Sequence, residues 1–477
     1  MSRAPALAAS LLAACSSARV DGAERILDTA WSGAEGEARR AAPPPEPIEG
    51  VPVDEPASEV RSEWTLEAIL DRIALVNPTL GSALARLDEA EAARKEAVAA
   101  YFPELSLGLD YLSTDEPARA FAVLLNQQKL SLGPGFDPAP GSVENWREEV
   151  RLDWPLFAPG RGESRRAAEA GAEAARLTRE SIERRLLNSG VQEWLGLRAA
   201  RELEGVARES IAVVESRLEQ TRRREREGAA LRADVLRLEV RLAAARQEAA
   251  HAALVVRMAE SSLNQLMGQP PDAPLALAAQ EIVVGASLPG ELDALFAAAE
   301  AGRRDLAAAA HGVRMHGFRR EASKAERLPS LGAFAAYDVN GADLAIDTDL
   351  AYYVVGVGLH LPFSARTGAK VRQAAALERR AREELRELAL SVAREVRDAF
   401  EALAAARESL GFAEASVDAA REAFRILAEA QDAGGATVTD VLESEDARKK
   451  ASVRLVAAQA GVQIALTRLV GATGGVR

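Results

Sequence analysis

The sequence predicts a mainly α-helical chain that also carries membrane-type β-structure. Its unit is a set of long coiled-coil helices plus two strands, used twice, giving four strands in all. Three observations carry this. First, a spaced pattern recurs: Gly228-Ala229-Ala230-Leu231-Arg232-Ala233-Asp234-Val235-Leu236 returns as Gly434-Gly435-Ala436-Thr437-Val438-Thr439-Asp440-Val441-Leu442, 206 residues later at the Asp (440 − 234). Upstream, Trp154-Pro155-Leu156-Phe157 returns as Leu361-Pro362-Phe363, and Phe102-Pro103-Glu104-Leu105 as Leu328-Pro329-Ser330-Leu331. The Pro offsets are 207 and 226, so the first copy holds 19 more residues between these landmarks (226 − 207). A long-period repeat of this kind sets the architecture before any single residue does. Second, Ala, Leu, Glu and Arg dominate the 477 residues and aromatics are only 4%, the composition of long helices. Third, four short segments alternate apolar and polar residues with period two.

The amino terminus reads as a targeting segment. Arg3 precedes an uncharged stretch ending Leu12-Ala13-Ala14-Cys15, and Cys15 is the only cysteine. A charged start, a short apolar run and small residues before the boundary resemble a bacterial lipoprotein signal. On that reading 1–14 is removed, Cys15 is lipidated, and Ser16 and Ser17 suit outer-membrane sorting; the alternative is an ordinary signal peptide with an incidental Cys. One thiol also excludes a disulfide framework. Residues 15–62, with Pro43-Pro44-Pro45 and further prolines at 47, 52 and 56, read as an extended leader. The first repeat then spans 63–275 and the second 276–477.

Each repeat predicts the same order of elements. Folding starts near Trp64-Thr65-Leu66, with Thr65 as a helix N-cap. A medium helix comes first (about 64–101 and 292–327), and a Pro ends it before a strand. A loop, a second strand and a Trp/Leu-Pro turn follow. Then come a very long helix (about 163–227 and 366–433), a Gly turn, and a last medium helix (about 229–267 and 436–470). In the second long helix Leu385, Leu388, Val392, Val396, Ala399, Leu403, Ala406, Leu410, Ala413, Val417, Ala420, Phe424 and Leu427 step by threes and fours, a coiled-coil seam. Two medium helices stacked end to end match one long helix in length.

The strands place Leu105, Leu107, Leu109 and Tyr111 on one face, and Val150, Leu152 and Trp154 opposite Arg151 and Asp153. The second copy places Leu331, Ala333, Ala335 and Tyr337 together, and Tyr353, Val355, Val357, Leu359 and Leu361 opposite Gly356, Gly358 and His360. Segments of about ten residues, apolar on one face with aromatics near their ends, fit an outer-membrane barrel; a small sheet packed on helices fits them as well. Four strands cannot close a membrane barrel, whose smallest form has eight. Lipid-facing strands would therefore be shared among subunits: two chains give eight strands and a plugged interior, three give twelve and room for a channel. No segment after the signal reaches the roughly 18 apolar residues of a membrane-spanning helix.

In this order, twice, these features resemble the TolC-type outer membrane factor family over about residues 63–471. The Phe-Pro-x-Leu strand entries, the Trp-Pro-Leu-Phe-x-Pro-Gly-Arg stretch at 154–161 and the paired Gly…Asp-Val-Leu helix tips carry the resemblance. It implies a homotrimer with a shared twelve-stranded barrel in the outer membrane, continuous with an α-helical barrel in the periplasm. It further implies docking, at the helix tips, to a periplasmic adaptor linked to an inner-membrane pump, as the passive exit duct of an efflux or type I secretion system. Carried onto this sequence, Gly228, Asp234, Gly434 and Gly435 belong to the adaptor-docking tips, and Asp440 and Glu443 to inward acidic rings at the periplasmic aperture. The two carboxylates lie three apart on one helical face, and acidic rings favour cations; a solvated first turn is the plainer account of them. Relatives hold this mouth closed by polar links between helix pairs. Asp234 matches one partner, but Gln431 and Ala436 stand where a Tyr and an Arg are expected. The 19-residue excess, from Ala120 towards Gly141, falls at the exterior end, either as a cap over the mouth or as a larger surface loop.

Other chemistry finds no support. A net charge of −13 argues against nucleic acid, and the Arg222-Arg223-Arg224-Glu225-Arg226 run reads as a solvated helix end. His251, His311, His316 and His360 show no metal-ligand spacing. There is no phosphate-binding Gly-rich loop, nucleophile elbow or catalytic constellation, so neither enzyme nor cofactor is expected. The competing readings are a periplasmic adaptor and a structural coiled-coil lipoprotein.

Overall fold

The computed structural model describes residues 63–130, 133, 141–278, 291–343 and 351–475; Cys15 and the leader lie outside them. Repeat 1 comprises α1 (Leu66–Val76), α2 (Pro78–Ala99), β1 (Glu104–Thr114), α3 (Pro117–Asn126), β2 (Val143–Phe157), α4 (Arg161–Arg226) and α5 (Arg232–Leu266). Repeat 2 comprises α6 (Leu292–Gly302), α7 (Arg304–Ala325), β3 (Ser330–Gly341), β4 (Ala351–His360), α8 (Ala365–Asp432) and α9 (Val438–Ala472).

Local chemistry explains the boundaries. Thr65 caps α1 by accepting from the Ala68 N–H, as its position predicts. The first medium helix is in fact two, because Pro78 has no N–H to continue α1, and Asn77 caps α2 through its side chain. In repeat 2 the break falls at Arg303, between α6 and α7. There the Gly302 carbonyl accepts from Arg184 (3.2 Å) and a Cβ on Gly302 would meet Thr473 O at 2.8 Å. The Trp154-Pro155 stretch is a correction: it lies within β2, at a break in register between Trp154 and Phe157, and not in a turn after the strand. A bulge is where an interior strand tolerates Pro. The turn follows at Gly160, whose φ of +84° and close approach to Ala322 O require glycine. Arg161 then ties it, donating to Pro155 O and lying over the Tyr101 ring.

The sheet runs β1-β2-β3-β4, antiparallel and open at both ends. The 68-residue α8 extends roughly 100 Å, with α7 and α9 against it. Every seam residue named above is buried or half-buried, so the threes-and-fours pattern states how α8 packs. Two pseudo-equivalent cores sit at mid-length. In one, Ile69 and Ile73 of α1 meet Trp194 and Leu197 of α4 and Leu263 of α5. In the other, Leu295 of α6 meets Val392, Val396 and Leu403 of α8 and Leu469 of α9. Trp194 is 0% exposed, so Trp194→Ala is expected to cost about 3–5 kcal/mol, read as a lower thermal midpoint of the detergent-solubilised protein.

One helix departs from the expectation that no later segment has membrane length. An 18-residue window of α9 reaches a mean hydropathy of 1.4. The helix lies along α8 and α4, and its alanines, which raise the hydropathy, are the small side chains that let helices approach closely.

Candidate functional site

Cross-strand register sorts the sheet into two unlike faces. Leu105–Leu152–Ala335–Val355 and Leu107–Val150–Tyr337–Tyr353 form continuous rows across all four strands. This face is uncovered, with Leu107 and Tyr353 each 78% exposed. Aromatics flank it at both levels, Phe102, Trp154, Phe157 and Phe363 at one end and Tyr111 and Trp146 at the other, while Tyr337 and Tyr353 sit within it and Glu148 is the one charge in its rows. The Tyr111 and Trp146 rings pack at a tilt of 46° with centroids 4.7 Å apart. The opposite face is polar. Arg147 bonds Asp338 (2.6 Å) and Glu149 (2.8 Å), and Arg151 bonds Asp153 (2.6 Å). Gly356 sits on this face because the Phe334 ring would meet any Cβ there at 2.6 Å.

At the far end of the helices the chain turns twice, at Gly228 (φ +75°) and Gly434 (φ +83°), both in open space. Here glycine answers to backbone conformation alone. Thr437 and Asp440 form a reciprocal capping box at the start of α9: Thr437 N–H donates to Asp440 Oδ2 (2.9 Å) and Asp440 N–H to Thr437 Oγ1 (3.2 Å). Hydrogen bonds from the Thr437 side chain and backbone hold the Asp440 carboxyl below the usual range. Glu443, one turn further, is exposed.

The two helix pairs are joined just behind these tips. Val235 and Leu238 of α5 pack with Val214 and Leu218 of α4, and Val438 and Leu442 of α9 pack against them. Around this apolar contact Arg237 of α5 donates to Thr439 (3.1 Å), Arg241 pairs with Asp446, Lys449 with Glu248, and Arg448 with Glu209 of α4 (3.3 Å). Asp446 also holds Lys450 (2.6 Å). Glu445 is buried beside them, and burial pushes its carboxyl up.

Comparison with known proteins decides the family. Residues 69–269 and 295–475 match the model of the outer membrane efflux protein family. The chain belongs to this family. No curated protein matches it by sequence. Its fold is similar to crystal structures of the outer membrane protein VceC from Vibrio cholerae (17% identity, 86% of this chain and 96% of that chain, TM-score 0.72), the Campylobacter jejuni CmeC outer membrane channel (15%, 86% and 85%, 0.72) and the open state of the Neisseria gonorrhoeae MtrE outer membrane channel (18%, 86% and 89%, 0.72). The protein is thus an outer-membrane efflux channel, and members of this family are ducts, not enzymes.

In this efflux protein the residues singled out from sequence fall together at one end. Gly228, Asp234, Gly434, Gly435, Asp440 and Glu443 all lie in or within two turns of the paired tips. Asp234 forms an ion pair with Arg237 of its own helix (3.6 Å) and does not itself reach repeat 2. Sequence reading missed Arg241, Asp446, Glu248 and Lys449. For Arg241 and Asp446 the signal was the repeat itself: they are 205 positions apart against a repeat offset of 206, so they lie almost equally far from the two tips. Glu248 and Lys449, 201 apart, are out of that register, and nothing in the repeat announces them.

Proposed function

We propose that the protein is the passive exit duct of a tripartite efflux or type I secretion system, a homotrimer sharing one twelve-stranded barrel that continues into a periplasmic helical tunnel. The observation that carries it is the open sheet: an uncovered apolar band between two aromatic girdles, with a polar opposite face and unpaired edges at β1 and β4. An edge strand needs a partner, and β4 of one subunit meeting β1 of the next provides it. The helices also leave apolar side chains uncovered, with Leu236, Val240 and Met258 of α5 and Leu390, Phe412 and Ile426 of α8 all exposed in a single chain. The helical seam thus continues between subunits.

The remaining roles follow from this assembly. Repeats 1 and 2 divide at 275/276, Cys15 anchors the amino terminus to outer-membrane lipid, and the Gly228 and Gly434–Gly435 tips dock a periplasmic adaptor. An inner-membrane pump supplies the energy. Asp440 and Glu443 ring the aperture, and the Arg241–Asp446 group ties the helix pairs where Gln431 and Ala436 replace the expected partners.

Single-channel recording in planar bilayers tests the duct: discrete conductance steps are expected, and a stable monomer in mild detergent with no conductance would sink the reading. Separately, Cys15→Ser is expected to abolish incorporation of labelled palmitate while the protein still reaches the outer membrane; continued labelling would place the acyl chain elsewhere.

A further inference from the structure

The first repeat links β1 to β2 through residues 115–142, whereas the second links β3 to β4 through 342–350. The additional chain includes a helix that the sequence reading did not foresee, α3. Ala120, Val123 and Gln127 are buried at positions i, i+3 and i+7, so one side of this helix is seated. Gln127 Nε2 donates to Asn145 Oδ1 (2.9 Å) and to Glu144 O (2.7 Å), and Asn145 Nδ2 donates to Asn340 Oδ1 (2.8 Å).

The register decides which face bears this chain of amides. Asn145 shares its side of β2 with Arg147, Glu149 and Arg151, and Asn340 shares its side of β3 with Asp338. These are the polar residues opposite the lipid-type rows. Leu112 and Thr114, on the same face of β1, are partly covered, while Ser113 between them is exposed. Buried amides are costly unless paired, and Gln127 supplies the pairing that lets the helix lie over them. A loop turned outward to solvent would leave this face open.

We infer that α3 and Gln127 form an inward projection at the exterior mouth of the pore, so that α3 limits the size of cargo that can leave. This rests on the channel reading, which makes the polar face the pore wall. Three such helices, each about 10 Å across, would occupy a large part of the wall of a barrel whose twelve strands sit about 4.8 Å apart. The face, the clamp and the length of the excess all belong to this chain. They replace the choice between a cap and a surface loop by a helix fixed to the inner wall.

The test uses the full-length protein in intact cells with a reporter thiol at Ser106→Cys, on the polar face near the periplasmic end of β1. The chain without the reporter serves as the blank. Two reagents are added from outside: a small methanethiosulfonate and a bulky polyethylene-glycol maleimide. Two variants loosen the projection. One is Gln127→Ala, which removes two buried hydrogen bonds, each worth about a factor of five in an equilibrium. The other replaces residues 115–142 by the shorter 342–350 connection. The small reagent is expected to react equally in all forms, and the bulky one about tenfold faster in both variants. Equal bulky-reagent rates in the parent and the shortened chain would overturn the projection. Acceleration in the shortened chain alone would overturn the role of Gln127. A failure of the channel reading looks different: the small reagent would label Leu107→Cys and not Ser106→Cys, because the faces would be reversed.

Discussion

Replacing Asp440 by Asn together with Glu443 by Gln is expected to lower the cation-to-anion permeability ratio about tenfold, read from reversal potentials. In a trimer these positions bring up to six carboxylates to one narrow opening. At an effective dielectric of about 20, a charge 4 Å from a passing cation contributes about 4 kcal/mol before screening, so losing only part of that field suffices. Asp440 also has a structural duty in its capping box with Thr437, so its loss alone would be ambiguous. Thr437→Ala separates the two: it removes the cap, at about 1 kcal/mol, and leaves both charges. Selectivity is therefore expected to survive Thr437→Ala and to fall in the double carboxylate variant. Because Thr437 holds the Asp440 carboxyl below the usual range, it stays charged as the pH falls through ordinary carboxylate values. The cation preference it confers should therefore persist as the pH falls through that range. An unchanged reversal potential in the double variant would mean that these side chains face outward, and the solvated first turn would be the right account.

The fold was legible because its signals are long. The α8 seam repeats over many turns, so no local accident hides it, and every seam residue packs as the spacing requires. The Gly228 and Gly434 turns were legible because positive φ leaves a compositional mark. What was hidden is short or non-local. The breaks at Pro78 and Arg303 interrupt helices whose apolar spacing continues on both sides, so a periodicity reading joins them. Pro155 marks a turn in most sequences and here sits at a bulge, which depends on the neighbouring strand. α3 is only ten residues long and owes its place to Gln127 reaching Asn145, a contact that no pattern within the helix announces. The ties near the tips were hidden for a similar reason. Arg241 and Asp446 are ordinary charges on ordinary helices, and only folding one repeat against the other brings them together.

Breaking those ties is expected to open the periplasmic end. Arg241→Gln removes one partner from a pair that is largely shielded, since the two side chains are only 22% and 27% exposed. Loss of a hydrogen bond to a charged group costs about 1.5–3 kcal/mol, which shifts a closed-to-open equilibrium tenfold or more at about 1.4 kcal/mol per decade. The expected reading is a rise of about tenfold in open probability in planar bilayers. Export of large cargo should be less dependent on the adaptor. The apolar contact of Val438 and Leu442 with Val235 and Leu238 remains, so the helix pairs should loosen without the chain unfolding. Exchanging the charges, Arg241→Asp with Asp446→Arg, keeps an ion pair in place and should restore most of the closure. That double-mutant comparison isolates the pair from its surroundings, although Lys450 also leans on Asp446 and would sit beside an arginine in the exchanged chain. Adding Lys450→Gln removes that repulsion. If closure is normal in Arg241→Gln, the helix pairs are held by their apolar contact and by subunit packing, and the polar ties behind the tips only set the register of α9 against α5.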